Sequence, residues 1–331
     1  MRKIFNFWLV ITIIWIISTA IDRYCWNNLN GIPSWDQADY LNSAMEHGKA
    51  LGLIKGSSWE GFKSLFDLSP KIPPLASLIN GIVIAIAGDS PSQAAWSLSI
   101  WNGLLIFSIA IWGISLLNKS FAILSVSFIA ITPILLQLRS DYVLEMPLTA
   151  VLSLTILSTG YWLHPSKGGK PWQALVASLA TISSLLIKQS ALLVIFPIFI
   201  YSIILVLREA RARKNKLIQL ISSFATTSIA LLPWLKHNWI TFIGGTNRAV
   251  IQSAQLEGDP SLLSLENWTW YLNWIPEQIG NFIIIIGISG IILCFCTTEN
   301  KINLCGDKEN IDDVFLWKWL ILILISSWLL T

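Results

Sequence analysis

The sequence predicts an all-α fold: a polytopic bundle of transmembrane helices with interfacial helices on its outer face and no separate soluble domain. Three observations predict it. Of 331 residues, 54% are hydrophobic and only 12% charged, whereas soluble domains carry about 25% charge. The apolar residues gather in runs near the roughly 20 residues a spanning helix needs to satisfy its backbone in a bilayer. Basic residues collect at a few junctions between those runs, above all Arg208 to Lys216. The lipid bilayer is therefore an obligatory partner, and a net charge of +3 gives no reason to expect nucleic acid.

Residues Ile4 to Ile21 carry no charge and follow Arg2 and Lys3. The run is long, rich in Trp and Ile, and lacks a small-residue cleavage site, so it predicts a retained first span rather than a signal peptide. Further spans are expected over about 93–117, 120–138, 146–163, 172–187, 190–207, 217–235, 278–296 and 315–331. Two of them, 172–187 and 190–207, are short and flank Lys188, which predicts tilt or a kink. The last run reaches Thr331 without a polar flank, as if the chain were a piece of a longer protein.

Arg208, Arg211, Arg213, Lys214 and Lys216 mark a cytoplasmic junction. Counting backward puts Arg2, Lys3, Lys119 and the loop from Lys167 to Lys170 on the same side. The long loops, about 22–92 and 236–277, then lie outside. Pro73 to Gly88 is apolar but short, and counting it as a span would invert everything downstream. It is expected to lie in the outer interface or re-enter partway. Cys25, Cys294, Cys296 and Cys305 show neither zinc spacing nor a disulfide framework. Cys294 and Cys296 sit in an apolar run and are expected as small buried hydrophobes.

Four polar groups need explaining, each with a functional and a structural reading. Ser34 and Gln37 form a capping-box signature that predicts a helix from Trp35. Its apolar stripe would be Trp35, Ala38, Leu41 and Met45 on a membrane surface. Asp36 falls in the first turn, with Asp39 and Tyr40 one turn on; it is either a general base or an acid that stabilises the helix start. Lys71 precedes Ile72, Pro73 and Pro74, held at headgroup level, either as a phosphate ligand or as a snorkelling lysine. Arg139, Tyr142 and Glu145 cluster where an acid entering an apolar run calls for a partner or a role; a structural Arg139–Glu145 pair is the plain alternative. Lys188 is a further outward charge. Around the second outer loop, Trp234, Lys236, His237, Trp239, Arg248, Trp268, Trp270 and Trp274 fit a membrane-interface belt or sugar-stacking platforms. Two carboxylates and several cations share one face, which suits transfer from a phosphate-linked donor. A carboxylate takes the proton of an attacking hydroxyl while cations hold the leaving phosphate.

The order of these motifs is similar to that of the polyprenyl-phosphate-dependent glycosyltransferases of the GT-C fold. They are Asp36 in Trp-Asp-Gln-Ala-Asp-Tyr, then Lys71-Ile-Pro-Pro, then Arg139-x-x-Tyr142-x-x-Glu145-x-Pro-Leu-Thr, then Lys188-Gln189. The chain most resembles the family-39 group, which contains protein O-mannosyltransferases and the aminoarabinose transferase that modifies lipid A. The resemblance implies a conserved membrane module over 1–250, with 251–331 holding the outer-loop remainder and the last spans. It implies an inverting transfer from a polyprenyl-phosphate sugar to a hydroxyl on a lipid, glycan or protein. Asp36 would be the general base, Glu145 the second acid, and Lys71, Arg139 and Lys188 the phosphate ligands. Asp39, Tyr40 and Tyr142 would support them. The enzyme would lie in the cell (plasma or inner) membrane with its site on the non-cytoplasmic side. Gln37 stands where many members carry Glu, which weakens a metal site; no metal or cofactor is expected to be required, though a divalent ion is possible. Ile72 replaces a frequent His and leaves Lys71 more of the donor's phosphate to hold. A transporter or flippase for a lipid-linked sugar is the rival class, but no matched, broken helices point to one.

Overall fold

The computed structural model describes residues 2–28, 34–209, 213–248, 256, 258, 260, 264–297 and 314–330. Within them the chain is helical, with one antiparallel bridge between Leu51 and Trp59. Cys305, Arg211 and the Gly31-Ile-Pro approach to the capping box lie outside the described residues, as do the side chains of Cys294, Cys296 and Trp268.

The helices are α1 (Arg2–Asn28), α2 (Trp35–Ala50), α3 (Phe62–Asp67), α4 (Leu75–Ala87), α5 (Pro91–Ala94), α6 (Trp96–Leu116), α7 (Lys119–Ile131) and α8 (Pro133–Ser140). They continue as α9 (Glu145–Leu163), α10 (Pro171–Ile187), a 3₁₀ turn (Gln189–Ala191), α11 (Leu192–Arg208), α12 (Arg213–Asn247), α13 (Leu265–Ile279), α14 (Asn281–Thr297) and α15 (Val314–Leu330). Each run expected to span is helical over most of its described residues, with breaks at Ala95, Thr132 and Gly280. Among the described residues, five helical stretches are long and apolar enough to cross a membrane, and six if the bent α7–α8 pair is one span. The chain is a polytopic membrane protein. The short apolar segment after Pro73 is helix α4, of 13 residues, about 20 Å. That is too short for a hydrocarbon core of about 30 Å.

Three expectations change. The span expected over 120–138 is not straight: α7 and α8 meet at 57°. Pro133 lacks an amide hydrogen and drives Thr132 out of helical geometry, to φ −62° and ψ 125°. The carbonyl of Ala130, left without a helical partner by the break, accepts from Arg139 Nη2 at 2.9 Å. The first loop does not begin at residue 22, because nothing that breaks a helix occurs before Gly31; α1 runs on through Asp22 and Arg23. Likewise α12 does not end near 235 but continues through Lys236 and His237 to Asn247.

Packing explains why the small residues sit where they do. Helices α2 and α4 cross in backbone contact at Gly48 and Gly81; a Cβ on Gly81 would lie 2.5 Å from the carbonyl oxygen of Ala44. The buried face of α2 is therefore Leu41, Ala44 and Gly48, turned to α4. Trp35, expected in the stripe, is 90% exposed. Indole N–H groups need acceptors when buried, and several of the chain's 18 tryptophans staple helices together this way. Trp15 donates to the Ser99 carbonyl at 2.9 Å, Trp101 to Asn80 Oδ1 at 2.9 Å, and Trp319 to the Ile156 carbonyl at 2.9 Å.

The two ends of the bundle are distinct. At one, Lys216 pairs with Glu209 at 2.6 Å and donates to the Leu163 carbonyl at 3.3 Å, while Gln219 donates to the Gly169 carbonyl at 3.0 Å. Glu145 starts α9, whose 19 residues end at Leu163. Glu145 thus lies about 28 Å from this basic junction, at the other end of the bundle.

Candidate active site

The residues at Glu145's end are brought together by four structural devices. Ser34 donates its backbone N–H to Gln37 Oε1 at 3.3 Å, which starts α2 at Trp35 and puts Asp36 in its first turn. One turn later come Asp39 and Tyr40. Prolines 70, 73 and 74 prevent regular structure between α3 and α4, so Lys71 sits on an irregular strip. The third device is the start of α9 at Glu145. The fourth is the break between α10 and α11: Lys188 is extended, with φ −156° and ψ 140°, and projects its side chain back onto Glu145.

Lys188 Nζ and Glu145 Oε1 form an ion pair, both partly solvent-accessible. Gln189 Nε2 donates to the Lys71 carbonyl at 3.5 Å, joining the break to the Lys71 strip. Tyr40 stands among the acids. Burial first, then the charges of Asp36, Glu145 and Asp39, push its phenol above the ordinary tyrosine range, so its O–H stays a hydrogen-bond donor. Next to it is a polar pocket of about 180 Å³ lined by Asp39, Tyr40, Ser43, Ser69, Lys71 and Ser77 among others. Ser43 Oγ lies 3.0 Å from Ser69 Oγ and donates to Ser77 Oγ at 3.1 Å. Sequence reasoning missed these serines. A signal was present: Ala44-x-x-x-Gly48 and Ser77-x-x-x-Gly81 are small-residue pairs of the kind that let helices touch.

Asp36, Asp39, Tyr40, Lys71, Glu145 and Lys188 therefore share one neighbourhood. Arg139 and Tyr142 do not join it. Arg139 is 1% exposed and bonds Asp22 Oδ2 through Nε at 2.8 Å, not Glu145; Trp26 donates to its carbonyl at 3.1 Å. Its guanidinium is held inside the frame by Asp22 and the broken end of α7, which leaves it poorly placed for the phosphate role that motif order suggested. Tyr142 is buried with its hydroxyl beside Ser97 and Asn80, and burial pushes the phenol up to about 12. Its φ of 46° is uncommon for a bulky residue, and the turn it makes leads the chain into Glu145.

A second cavity, apolar and of about 300 Å³, lies among α9, α10, α11 and α12. Leu185, Leu192, Phe196, Phe199, Phe224 and Leu231 are in its wall. Leu192, Phe196 and Phe224 are exposed, so the groove opens sideways where lipid would lie. Leu185 and Leu192 flank Lys188 in sequence, which brings one end of the groove up to the charged cluster.

No protein-family model and no curated protein sequence matches the chain. Among solved structures it is similar to the archaeal oligosaccharyltransferase AglB from Archaeoglobus fulgidus, determined in complex with an inhibitory peptide and a dolichol-phosphate. The two align with a TM-score of 0.50 at 12% sequence identity, over 90% of this chain and 38% of that one. The likeness is one of fold: these helices are arranged as in part of that oligosaccharyltransferase, and the chain spans well under half of its length.

Proposed function

We propose that the chain is a membrane glycosyltransferase of the GT-C type, which moves a sugar from a polyprenyl-phosphate donor to a hydroxyl acceptor with inversion. One observation carries the reading: Asp36, Tyr40, Lys71, Glu145 and Lys188 share one neighbourhood, and Lys188 lies in the chain between Leu185 and Leu192, which line a sideways-open apolar groove. A lipid with a phosphate head and a single long apolar chain matches that combination. Residues 1–250 form the catalytic membrane module in this reading, and 251–331 the remainder.

The lipid chain lies in the groove and the phosphate reaches Lys188 and Lys71. Asp36 accepts the proton of the acceptor hydroxyl. Its oxygen attacks the anomeric carbon from the side opposite the phosphate, and the carbon–oxygen bond to phosphate breaks with its electron pair going to the leaving group. Lys71 and Lys188 stabilise the released charge; each charge-assisted contact is worth roughly 1.5–3 kcal/mol. Glu145 holds Lys188 in place before the donor arrives, and the half-exposed Glu145–Lys188 pair is weak enough to be remade around a phosphate. Tyr40 donates its hydroxyl hydrogen to an oxygen of donor or acceptor. The site faces the non-cytoplasmic side, because the basic Arg208–Lys216 junction occupies the other end of the bundle.

The test is consumption of a polyprenyl-phosphate monosaccharide by purified protein in detergent, where transport has no meaning. Release of polyprenyl phosphate coupled to a new glycoside supports the reading. Tight binding without turnover, together with movement of the lipid across liposomes, supports a flippase instead.

A further inference from the structure

Helix α12 is 35 residues long; it lines the apolar groove and contacts the segment that walls the pocket at Lys71. Its middle lines the apolar groove through Leu220, Phe224, Thr227 and Leu231. Beyond Leu231, three residues on one face reach the end of α3 and the strip that carries Lys71. Trp234 Nε1 donates to the Ser69 carbonyl at 3.1 Å, and Trp234 is 3% exposed. His237 Nε2 meets Asp67 Oδ1. Asn238 Nδ2 donates to the Phe66 carbonyl at 3.2 Å. Positions 234, 237 and 238 are spaced i, i+3, i+4, so one helical face makes all three contacts.

We infer that Trp234, His237 and Asn238 are positioning residues that clasp the end of α3 and the start of the strip, residues 66–69, and thereby set where Lys71 stands relative to the groove. The strip needs such a device. Pro70, Pro73 and Pro74 deny it a helix or a sheet ladder, and α3 is only six residues long. The three contacts are between residues more than 160 positions apart in sequence, with separations of 165, 170 and 172. They fix the wall of the polar pocket, formed by Leu68, Ser69, Pro70 and Lys71, to the same rigid helix that forms a wall of the groove. Head and tail of one lipid are thus measured by one element. The clasp residues touch neither; they act through Lys71.

This inference rests on the donor reading above, and the experiment separates the two. Purified full chain is titrated by native mass spectrometry with two probes that share a tail, undecaprenyl phosphate and undecaprenol. The preference of wild type for the phosphate reports Lys71 and Lys188. His237→Ala and Asn238→Leu should each cut that preference about three- to tenfold, with undecaprenol binding and thermal stability unchanged. The exchange Asp67→His with His237→Asp should recover much of it. If wild type shows no preference for the phosphate, the donor reading fails and the clasp with it. If wild type discriminates and the variants discriminate equally well, the donor reading stands and the clasp proposal is overturned. Equal loss of both probes together with stability marks a structural contact only, which also overturns it.

Discussion

Asp22→Asn tests how the frame holds Arg139. The wild-type pair is buried, at 1% and 3% side-chain exposure, with Nε and Oδ2 2.8 Å apart. Asparagine keeps the shape and removes the charge. Breaking a buried pair from one side costs about 3–5 kcal/mol, because the remaining charge is stranded. Here at least the middle of that range is expected, since the Asp22 charge faces both Arg139 and Arg23. Arg23 has ring faces near it, Trp26 at 5.9 Å and Trp96 at 5.8 Å, but none of its nitrogens has a hydrogen-bond partner. A loss of about 4 kcal/mol is nearly a thousandfold in the folding equilibrium, at about 1.4 kcal/mol per tenfold. The assay is denaturant unfolding in detergent micelles, read by tryptophan fluorescence. Replacing both partners, Asp22→Leu with Arg139→Met, should recover only part of the loss, because Arg23 loses its acid and the Ala130 carbonyl its donor. A single variant within about 1 kcal/mol of wild type would refute the reasoning. So would Arg139→Met that keeps stability and loses phosphate-lipid binding, which would return Arg139 to the role its motif suggested.

Three further outcomes follow. Lys71→Ala should raise the donor concentration needed for half-maximal transfer at least tenfold while leaving acceptor dependence alone, as a donor titration at fixed acceptor would show. Gly81→Leu should separate α2 from α4, because even a Cβ there meets the Ala44 carbonyl at 2.5 Å; a loss of about 1–3 kcal/mol or more is expected, detectable as faster limited proteolysis between the two helices. Folded Tyr142 holds its proton more tightly than an unfolded tyrosine, so the stability it contributes is present below pH 10 and lost between about 10 and about 12. Tyr142→Phe should flatten that part of the alkaline unfolding curve.

The parts of the structure legible in sequence are those set by local chemistry. Apolar runs gave every spanning helix, Ser34 and Gln37 gave the start of α2, and the charge junction at Arg208–Lys216 gave an end of the bundle opposite Glu145. The bend at Pro133 was equally local, yet a run of apolar residues on both sides masked it. Pairing was not legible. Arg139 has an acid six residues away in Glu145 but bonds Asp22, 117 residues distant, because α1 continues past its apolar run. Glu145 in turn takes Lys188. Trp234 looked like part of an interface belt, and only the packing of α12 against the strip shows it reaching Ser69. Charged residues in a helical bundle choose partners by the order of helices in space, which composition and periodicity do not encode.

Transfer by Asp36→Asn addresses the mechanism most directly. Purified wild type and variant are compared in single-turnover transfer of a labelled sugar from its polyprenyl phosphate, with donor saturating. General-base action predicts a fall of about 10²–10⁴-fold in rate with donor affinity preserved. A variant that transfers the sugar at close to the wild-type rate would contradict the assignment of Asp36 and the chemistry built on it.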